Sequence, residues 1–164
     1  MNNILAKQLG DALLARGMML ATAESCTGGG VAQAVTDIAG SSVWFERGFV
    51  SYANVAKVEM LGVRQATLDE YGAVSEITVR EMVAGALQHS GAHLALAVTG
   101  IAGPSGGSAV KPVGTVWFAW AVREGQAQAR LHQLSGNRSQ IRAQAVQIAL
   151  QGALEMLNLS PVLA

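Results

Sequence analysis

The sequence contains a single cysteine, Cys26, among 164 residues, which excludes an internal disulfide and any zinc or iron–sulfur site built from several cysteines. Charged residues are also scarce, at 13%, and 11 basic side chains balance 11 acidic ones. A chain without a basic excess cannot neutralise many phosphates, so nucleic acid is not expected as a partner. The absence of net charge also removes repulsion between copies, which favours a homo-oligomer, and we expect a dimer.

Long hydrophobic runs are missing as well, since no apolar stretch approaches the roughly 18 residues of a membrane span. Lys7, Asp11 and Arg16 interrupt the N-terminal segment, which is not the pattern of a signal peptide. These features predict a cytoplasmic chain with no membrane partner. His89 and His93 are spaced as a helical pair but lack the intervening Glu of the zinc-protease pattern, so no metal is expected.

What the sequence has in quantity is apolar residues, at 51%, arranged in alternating helical and strand patterns. Helices are predicted at 5–16, 27–39, after Asn54, at 67–71, at 76–88 behind the cap Ser75, and after the cap Asn137. Strands are predicted at 18–23, 43–52, 93–99, 113–122 and 127–134, the last two joined as a hairpin. This order predicts one domain over residues 1–164, a three-layer α/β/α sandwich with a mixed sheet.

Three polar segments follow predicted strands, and ligands bind beyond the carboxyl ends of strands in open α/β sheets. The first, residues 23–30, reads Ala-Glu-Ser-Cys-Thr-Gly-Gly-Gly and carries Ser25 at a strand–helix turn. Its glycines let the backbone approach a ligand, and the predicted helix start offers N–H groups to an anion or oxyanion. Two alternatives stay open: Ser25 or Thr27 is only a helix cap, or Cys26 is the nucleophile, because a helix N-terminus lowers the pKa of a thiol.

The second segment, residues 49–57, places Tyr52 at a strand end and Lys57 on the first turn of the next helix. A serine needs a base to become a nucleophile, and a desolvated lysine or a tyrosine–lysine pair supplies one. The alternative is an ordinary surface lysine. The spacing of this pair differs by one residue from the Tyr-x-x-x-Lys of short-chain dehydrogenases, and no strand is followed by G-x-G-x-x-G, so a dinucleotide cofactor is not expected.

The third segment, residues 99–107, is rich in glycine but lacks the Gly-Lys-Ser/Thr of a Walker loop, which disfavours nucleoside triphosphate cleavage. A glycine-rich loop after an apolar strand often lines a ligand, although a flexible crossover is the simpler interpretation. Arg138, on the first turn of the last helix, offers a fixed fork for a phosphate group. An exposed helical arginine is an equally good interpretation of that residue.

Several motifs in register resemble the CinA C-terminal family, from about Leu5 to the last helix. They are residues 23–29, 40–50, Tyr52 with Asn54 and Lys57, 72–75, 99–107 and 111–116. Two positions depart from the family pattern: Ala53 stands where serine is frequent, and Ser105 stands where aspartate is frequent.

The family includes stand-alone nicotinamide-nucleotide amidohydrolases, so the resemblance implies hydrolysis of nicotinamide mononucleotide to nicotinate mononucleotide and ammonia. It implies that Ser25 attacks the amide carbon while Lys57 and Tyr52 accept its proton and later protonate the leaving ammonia. Backbone N–H groups near Thr27 and Gly28 would stabilise the oxyanion.

The same resemblance assigns the ribose phosphate of this small nucleotide substrate to the loop after the third strand and to the last helix. The residues concerned are Thr99, Gly100, Ala102, Gly103 and Arg138. No cofactor is implied. The rival function is a non-catalytic nucleotide-binding domain with a regulatory, competence-associated role, which would need neither Ser25 nor Lys57.

Overall fold

The computed structural model describes residues 2–159, in which helices and strands alternate as the sequence predicts. The elements are α1 (Asn2–Arg16), β1 (Leu20–Glu24), α2 (Gly30–Thr36), a short 3-10 helix (Ser41–Val43), β2 (Phe45–Val50), α3 (Asn54–Leu61), α4 (Gln65–Tyr71), α5 (Glu76–Gln88), β3 (Leu94–Gly100), β4 (Thr115–Val122), β5 (Gln128–Gln133) and α6 (Arg138–Leu159). None of these helices is long and apolar enough to cross a membrane.

The sheet has the order β2-β1-β3-β4-β5. Strands β2, β1 and β3 run parallel, and β4 and β5 are added antiparallel as the predicted hairpin. This confirms the mixed sheet. The carboxyl ends of β2, β1 and β3 therefore meet at one edge, with β1 in the middle.

Helices cover both faces of the sheet, which confirms the three-layer arrangement. Successive residues of a strand point to opposite faces. On β3, Leu94, Leu96 and Val98 join the core with α1, α2 and α6, whereas Ala95 and Ala97 join the core with α3, α4 and α5. The face of small alanines lets α5 lie close against the sheet.

The caps of α5 and α6 are those the sequence predicts. Ser75 accepts a hydrogen bond from the Thr78 N–H at 3.1 Å. Asn137 and Gln140 form a reciprocal capping box, in which each side-chain oxygen accepts from the other residue's backbone N–H, at 2.9 and 2.8 Å. This box fixes the first turn of α6, where Arg138 lies.

Three local predictions were wrong. Asn54 is the first residue of α3 and Ala53 is its N-cap, so the Asn54 side chain does not cap the helix. Helix α2 begins at Gly30, not residue 27, because Gly28 and Gly29 have φ angles of 58° and 97°. Strand β2 begins at Phe45 because residues 41–43 form the 3-10 helix.

Candidate active site

A cavity of about 270 Å³ lies at the carboxyl edge of the parallel strands, and all three predicted polar segments reach it. Ser25 follows β1, Tyr52 follows β2, and Thr99 is one of the last two residues of β3. The lining consists of Ser25, Cys26, Tyr52, Asn54, Lys57, Ala73, Val74, residues 99–103, Ser105, Gly106 and Arg138. The structure thus brings together most of the residues expected to act on or bind a substrate.

Lys57 and Ser25 form a buried pair at the base of this cavity. Lys57 Nζ donates to Ser25 Oγ at 3.2 Å and to the carbonyls of Ser51 and Tyr52, both at 3.1 Å. Lys57 is 1% exposed and forms no ion pair with any residue in 2–159. Burial lowers the pKa of Lys57, because the ammonium loses its hydration, while the nearby Cys26 opposes this to a smaller extent. The interpretation of Lys57 as a surface lysine is wrong.

Cys26 lies next to Ser25 but does not have the character of a reactive thiol. Burial raises the pKa of Cys26 to about 11, and the charge of Glu24 adds to the effect. The lowering of its pKa that we expected from a helix start does not occur. A thiol in this state stays protonated near neutral pH, which disfavours Cys26 as the nucleophile.

The start of α2 is occupied by a side chain of the protein itself. The Glu24 carboxylate, 1% exposed, accepts hydrogen bonds from the N–H groups of Val31 and Ala32 at 2.8 and 3.0 Å. These two N–H groups of the first turn of α2 are therefore not available to a bound anion. The carboxylate instead ties the end of β1 to the first turn of α2, on either side of Ser25.

We expect Glu24→Ala to lower the free energy of unfolding by about 3 kcal/mol, because it leaves two buried N–H groups without their charged acceptor. Glu24→Gln should lower the free energy of unfolding by about half as much, since an amide offers only one accepting oxygen. Urea denaturation measures both, with the exposed Glu59→Ala as the control, expected to change by less than about 0.5 kcal/mol. An unchanged unfolding free energy in Glu24→Ala would refute this role.

Two residues expected at the oxyanion lie outside the cavity lining. The Gly28 N–H donates to the Ser25 carbonyl at 2.9 Å, so it is not available to a substrate. Thr27 lines a separate cavity of about 420 Å³ between α1, α2 and α6, together with Arg142. Unlike the N–H of Gly28, the backbone N–H of Thr27 has no acceptor among the described residues.

Arg138 and Tyr52 form the rim of the active-site cavity. Arg138 Nη1 donates to the Gly103 carbonyl at 2.8 Å, and Nη2 donates to the Tyr52 hydroxyl at 3.1 Å. The Tyr52 side chain is 57% exposed. Tyr52 thus contacts Arg138 through its hydroxyl, and it contacts Lys57 only through its backbone carbonyl. A guanidinium has five N–H donors, so Arg138 keeps donors for a ligand.

The end of β3 builds another part of the cavity wall. Thr99, 1% exposed, donates from Oγ1 to the Ala73 carbonyl at 2.7 Å and so holds the loop between α4 and α5 against the cavity. At Gly100 a Cβ atom would come within 2.7 Å of the Val116 side chain, so the close approach of β3 to β4 requires glycine. Ser105, where the family frequently has aspartate, also lines the cavity.

The lining of the cavity carries two basic side chains and no acidic one, with Lys57 at its base and Arg138 at its rim. Among residues 2–159 there is no cluster of three or more His, Cys, Asp or Glu side chains that could hold a metal ion. The arrangement suits an anionic ligand whose reacting group lies deep in the cavity and whose phosphate lies at the rim.

The sequence did not predict five residues that line the cavity or hold the turn around Ser25, namely Asn54, Ala73, Val74, Glu24 and Arg142. Arg142 donates to the carbonyls of Cys26 and Thr27 at 3.0 and 3.2 Å. Its position four residues after Arg138 on the same helix face was the signal that could have identified it.

Comparisons with known proteins identify the family of this chain. Residues 2–157 match the CinA C-terminal domain, and the chain belongs to that family.

Its relatives within the family include named enzymes. The nicotinamide-nucleotide amidohydrolase PncC of Escherichia coli strain K12 is 57% identical over 147 residues, covering 90% of this chain and 89% of that protein. The protein of the same name from Enterobacter agglomerans is 55% identical over 150 residues, covering 92% of each. The solved structure of the competence damage-inducible protein A of Klebsiella pneumoniae superposes with a TM-score of 0.94 at 41% identity, covering 98% of this chain and 99% of that one.

Proposed function

We propose that this chain is a nicotinamide-nucleotide amidohydrolase, which hydrolyses the carboxamide of nicotinamide mononucleotide to nicotinate mononucleotide and ammonia. The observation that carries the proposal is the buried Lys57 amine, which lies 3.2 Å from Ser25 Oγ in a cavity with an arginine at its rim. The identity of 55–57% to two proteins named as such enzymes supports it.

In the first half of the reaction, neutral Lys57 accepts the proton of Ser25 as Oγ attacks the carboxamide carbon. A bond forms between Oγ and that carbon, and the negative charge of the tetrahedral intermediate falls on the former amide oxygen. The N–H of Thr27 is the donor we assign to this oxyanion. The carbon–nitrogen bond then breaks, and the Lys57 ammonium protonates the departing ammonia.

In the second half, a water molecule attacks the ester on Ser25. Lys57 accepts a proton from this water, and the carbon–oxygen bond to Ser25 breaks. Ser25 takes the proton back from Lys57, and the carboxylate of nicotinate mononucleotide is released. The two halves together return Lys57 and Ser25 to their starting states. The net reaction consumes one water molecule, and the proton of the acid product passes to ammonia.

At the rim, Arg138 and the loop of Thr99, Gly100, Ala102 and Gly103 bind the ribose phosphate in this proposal. Tyr52 acts on both ends of the cavity: its carbonyl holds Lys57, and its hydroxyl holds Arg138. We therefore assign Tyr52 to positioning these two basic side chains. We do not assign it to proton transfer, because its hydroxyl bonds to Arg138 and not to Ser25.

We further propose that residues 1–164 act as a single domain, in a cytoplasmic homodimer that works in the metabolism of pyridine nucleotides and requires no cofactor. Equal numbers of acidic and basic residues support self-association over binding to nucleic acid. Light scattering at several protein concentrations tests the dimer.

The function is tested by measuring ammonia release from nicotinamide mononucleotide by the purified protein. We expect turnover that is unaffected by chelator and abolished in Ser25→Ala. The riboside, which lacks the phosphate, is the control substrate and should react poorly. Binding of the nucleotide without ammonia release would identify the chain as a non-catalytic binding domain.

The pH profile of kcat/KM should reflect the deprotonation of Lys57. Because only neutral Lys57 accepts a proton, activity should fall as pH falls through its pKa, which burial holds below the ordinary lysine value. Activity should therefore rise with pH and reach its plateau below the ordinary lysine range. Lys57→Arg, which cannot deprotonate, should be inactive at every pH. A profile that rises until the ordinary lysine range is reached would contradict this role.

A further inference from the structure

The turn that carries Ser25 is held in place by partners from two distant elements. The Ser25 N–H donates to the Val98 carbonyl on β3 at 3.0 Å, which fixes the peptide before Ser25. The carbonyls of the next two residues have a different partner. Arg142 donates from Nε to Cys26 at 3.0 Å and from Nη2 to Thr27 at 3.2 Å.

Arg142 does not touch the active-site cavity. It is half-buried on α6 and lines the separate cavity of about 420 Å³, which shares no lining residue with the one that contains Ser25. Arg138, one turn earlier on α6, does line the active-site cavity. The same helix therefore positions the candidate phosphate group and the nucleophile turn.

The consequence for the backbone follows from peptide geometry. In a planar trans peptide, the carbonyl and the N–H point in opposite directions. Since Arg142 holds the Cys26 carbonyl, the N–H of the same peptide, that of Thr27, points away from Arg142. A charge-assisted hydrogen bond to a carbonyl also polarises its peptide and strengthens the N–H as a donor. This N–H has no acceptor among the described residues.

We propose that Arg142 is a positioning residue, which orients the peptide between Cys26 and Thr27 so that the Thr27 N–H faces the oxyanion formed at Ser25. The inference rests on the proposed function of Ser25 as the nucleophile. A misaligned oxyanion donor weakens the transition state more than the bound substrate. Loss of Arg142 should therefore lower kcat and leave KM nearly unchanged.

The first experiment measures kcat and KM for ammonia release in Arg142→Met, with Arg142→Lys beside it. We expect Arg142→Met to lose about 10- to 100-fold in kcat, a part of what removal of an oxyanion donor costs. Arg142→Lys should recover part of the rate, because an ammonium reaches one of the two carbonyls. The matched control is Arg64→Met, an arginine whose side chain is 72% exposed, and it should keep full activity.

The second experiment distinguishes positioning from a general loss of stability. In Arg142→Ala the adjoining cavity leaves room for a guanidinium ion, which can form the same two hydrogen bonds. Millimolar guanidinium should restore part of kcat in Arg142→Ala and have no such effect on the wild type, and sodium at equal ionic strength should restore nothing. No recovery in folded Arg142→Ala would overturn the inference.

The third measurement is independent of the natural substrate. Labelling of Ser25 by phenylmethanesulfonyl fluoride forms a bond between Oγ and sulfur and releases fluoride, and mass spectrometry follows its rate. Slower labelling in Arg142→Met supports the inference even if the wild type releases no ammonia. The absence of ammonia release would refute only the proposed function. Equal labelling of Arg142→Met and the wild type, or a raised KM with unchanged kcat, would overturn it.

Discussion

Ser25→Ala and Lys57→Met should each lose nearly all ammonia release, on the order of a thousandfold or more, and the double variant should be no slower than either single one. The reason is that the two side chains act as a unit. Without Lys57 the Ser25 hydroxyl keeps its proton, and without Ser25 the amine has no nucleophile to activate. The three variants should be folded, with circular dichroism spectra like that of the wild type.

The matched controls for this pair lie beside it in the sequence and on the surface. Cys26→Ala should keep most of its activity, because the raised pKa of Cys26 leaves its thiol protonated. Lys7→Met removes an exposed lysine, paired only with Asp11, and should have no effect. If Ser25→Ala keeps near-native turnover and Cys26→Ala is inactive, the nucleophile is the Cys26 thiol and not Ser25.

The second large effect is expected at Arg138. Arg138→Ala should lower kcat/KM for nicotinamide mononucleotide by about 10- to 150-fold, since a charged hydrogen bond contributes roughly 1.5–3 kcal/mol. Binding energy from the phosphate also positions the amide carbon, so turnover should fall as well as affinity. The riboside lacks the phosphate, and its already low kcat/KM should hardly change in this variant.

The comparison between the two substrates is what makes the Arg138 experiment decisive. Arg138 also donates hydrogen bonds to Gly103 and Tyr52, and a purely structural role of these two bonds would affect both substrates equally. Arg138→Lys should recover only part of the loss, because an ammonium cannot form a bidentate fork. Equal losses on the mononucleotide and the riboside would show that Arg138 is structural and that the phosphate lies elsewhere.

The fold was largely predictable because its signals are local. The apolar strand of β3, the hairpin of β4 and β5, and the caps Ser75 and Asn137 each depend on neighbouring residues, and the structure has all of them. The meeting of the three polar segments follows from the parallel order of β2, β1 and β3. The edge of the sheet at which the cavity lies is therefore predictable from the sequence.

The details of the site were not predictable because they depend on contacts across the chain. The Tyr52 hydroxyl bonds to Arg138, 86 residues away, and Arg142 reaches Cys26 across 116 residues. The hydrophobic periodicity of the sequence gives no information on contacts between residues so far apart. Glu24 was missed for a different reason: its carboxylate replaces the external anion that an unfilled helix start would attract.

The error at Cys26 shows which of two opposing effects is larger. A helix start lowers a thiol pKa, whereas burial raises it. The Glu24 carboxylate accepts a hydrogen bond from the first turn of α2, and its negative charge adds to the rise of the Cys26 pKa. Burial then decides, and the pKa rises to about 11.

The most direct test of the central claim is to trap the covalent intermediate. The enzyme is mixed with nicotinamide mononucleotide, quenched in acid within the first turnovers, and digested, and the peptide that contains both Ser25 and Cys26 is sequenced by tandem mass spectrometry. We predict a nicotinoyl nucleotide ester on Ser25, absent from Ser25→Ala and from an unreacted control. The same adduct on Cys26, or ammonia release from Ser25→Ala at the wild-type rate, would contradict the account.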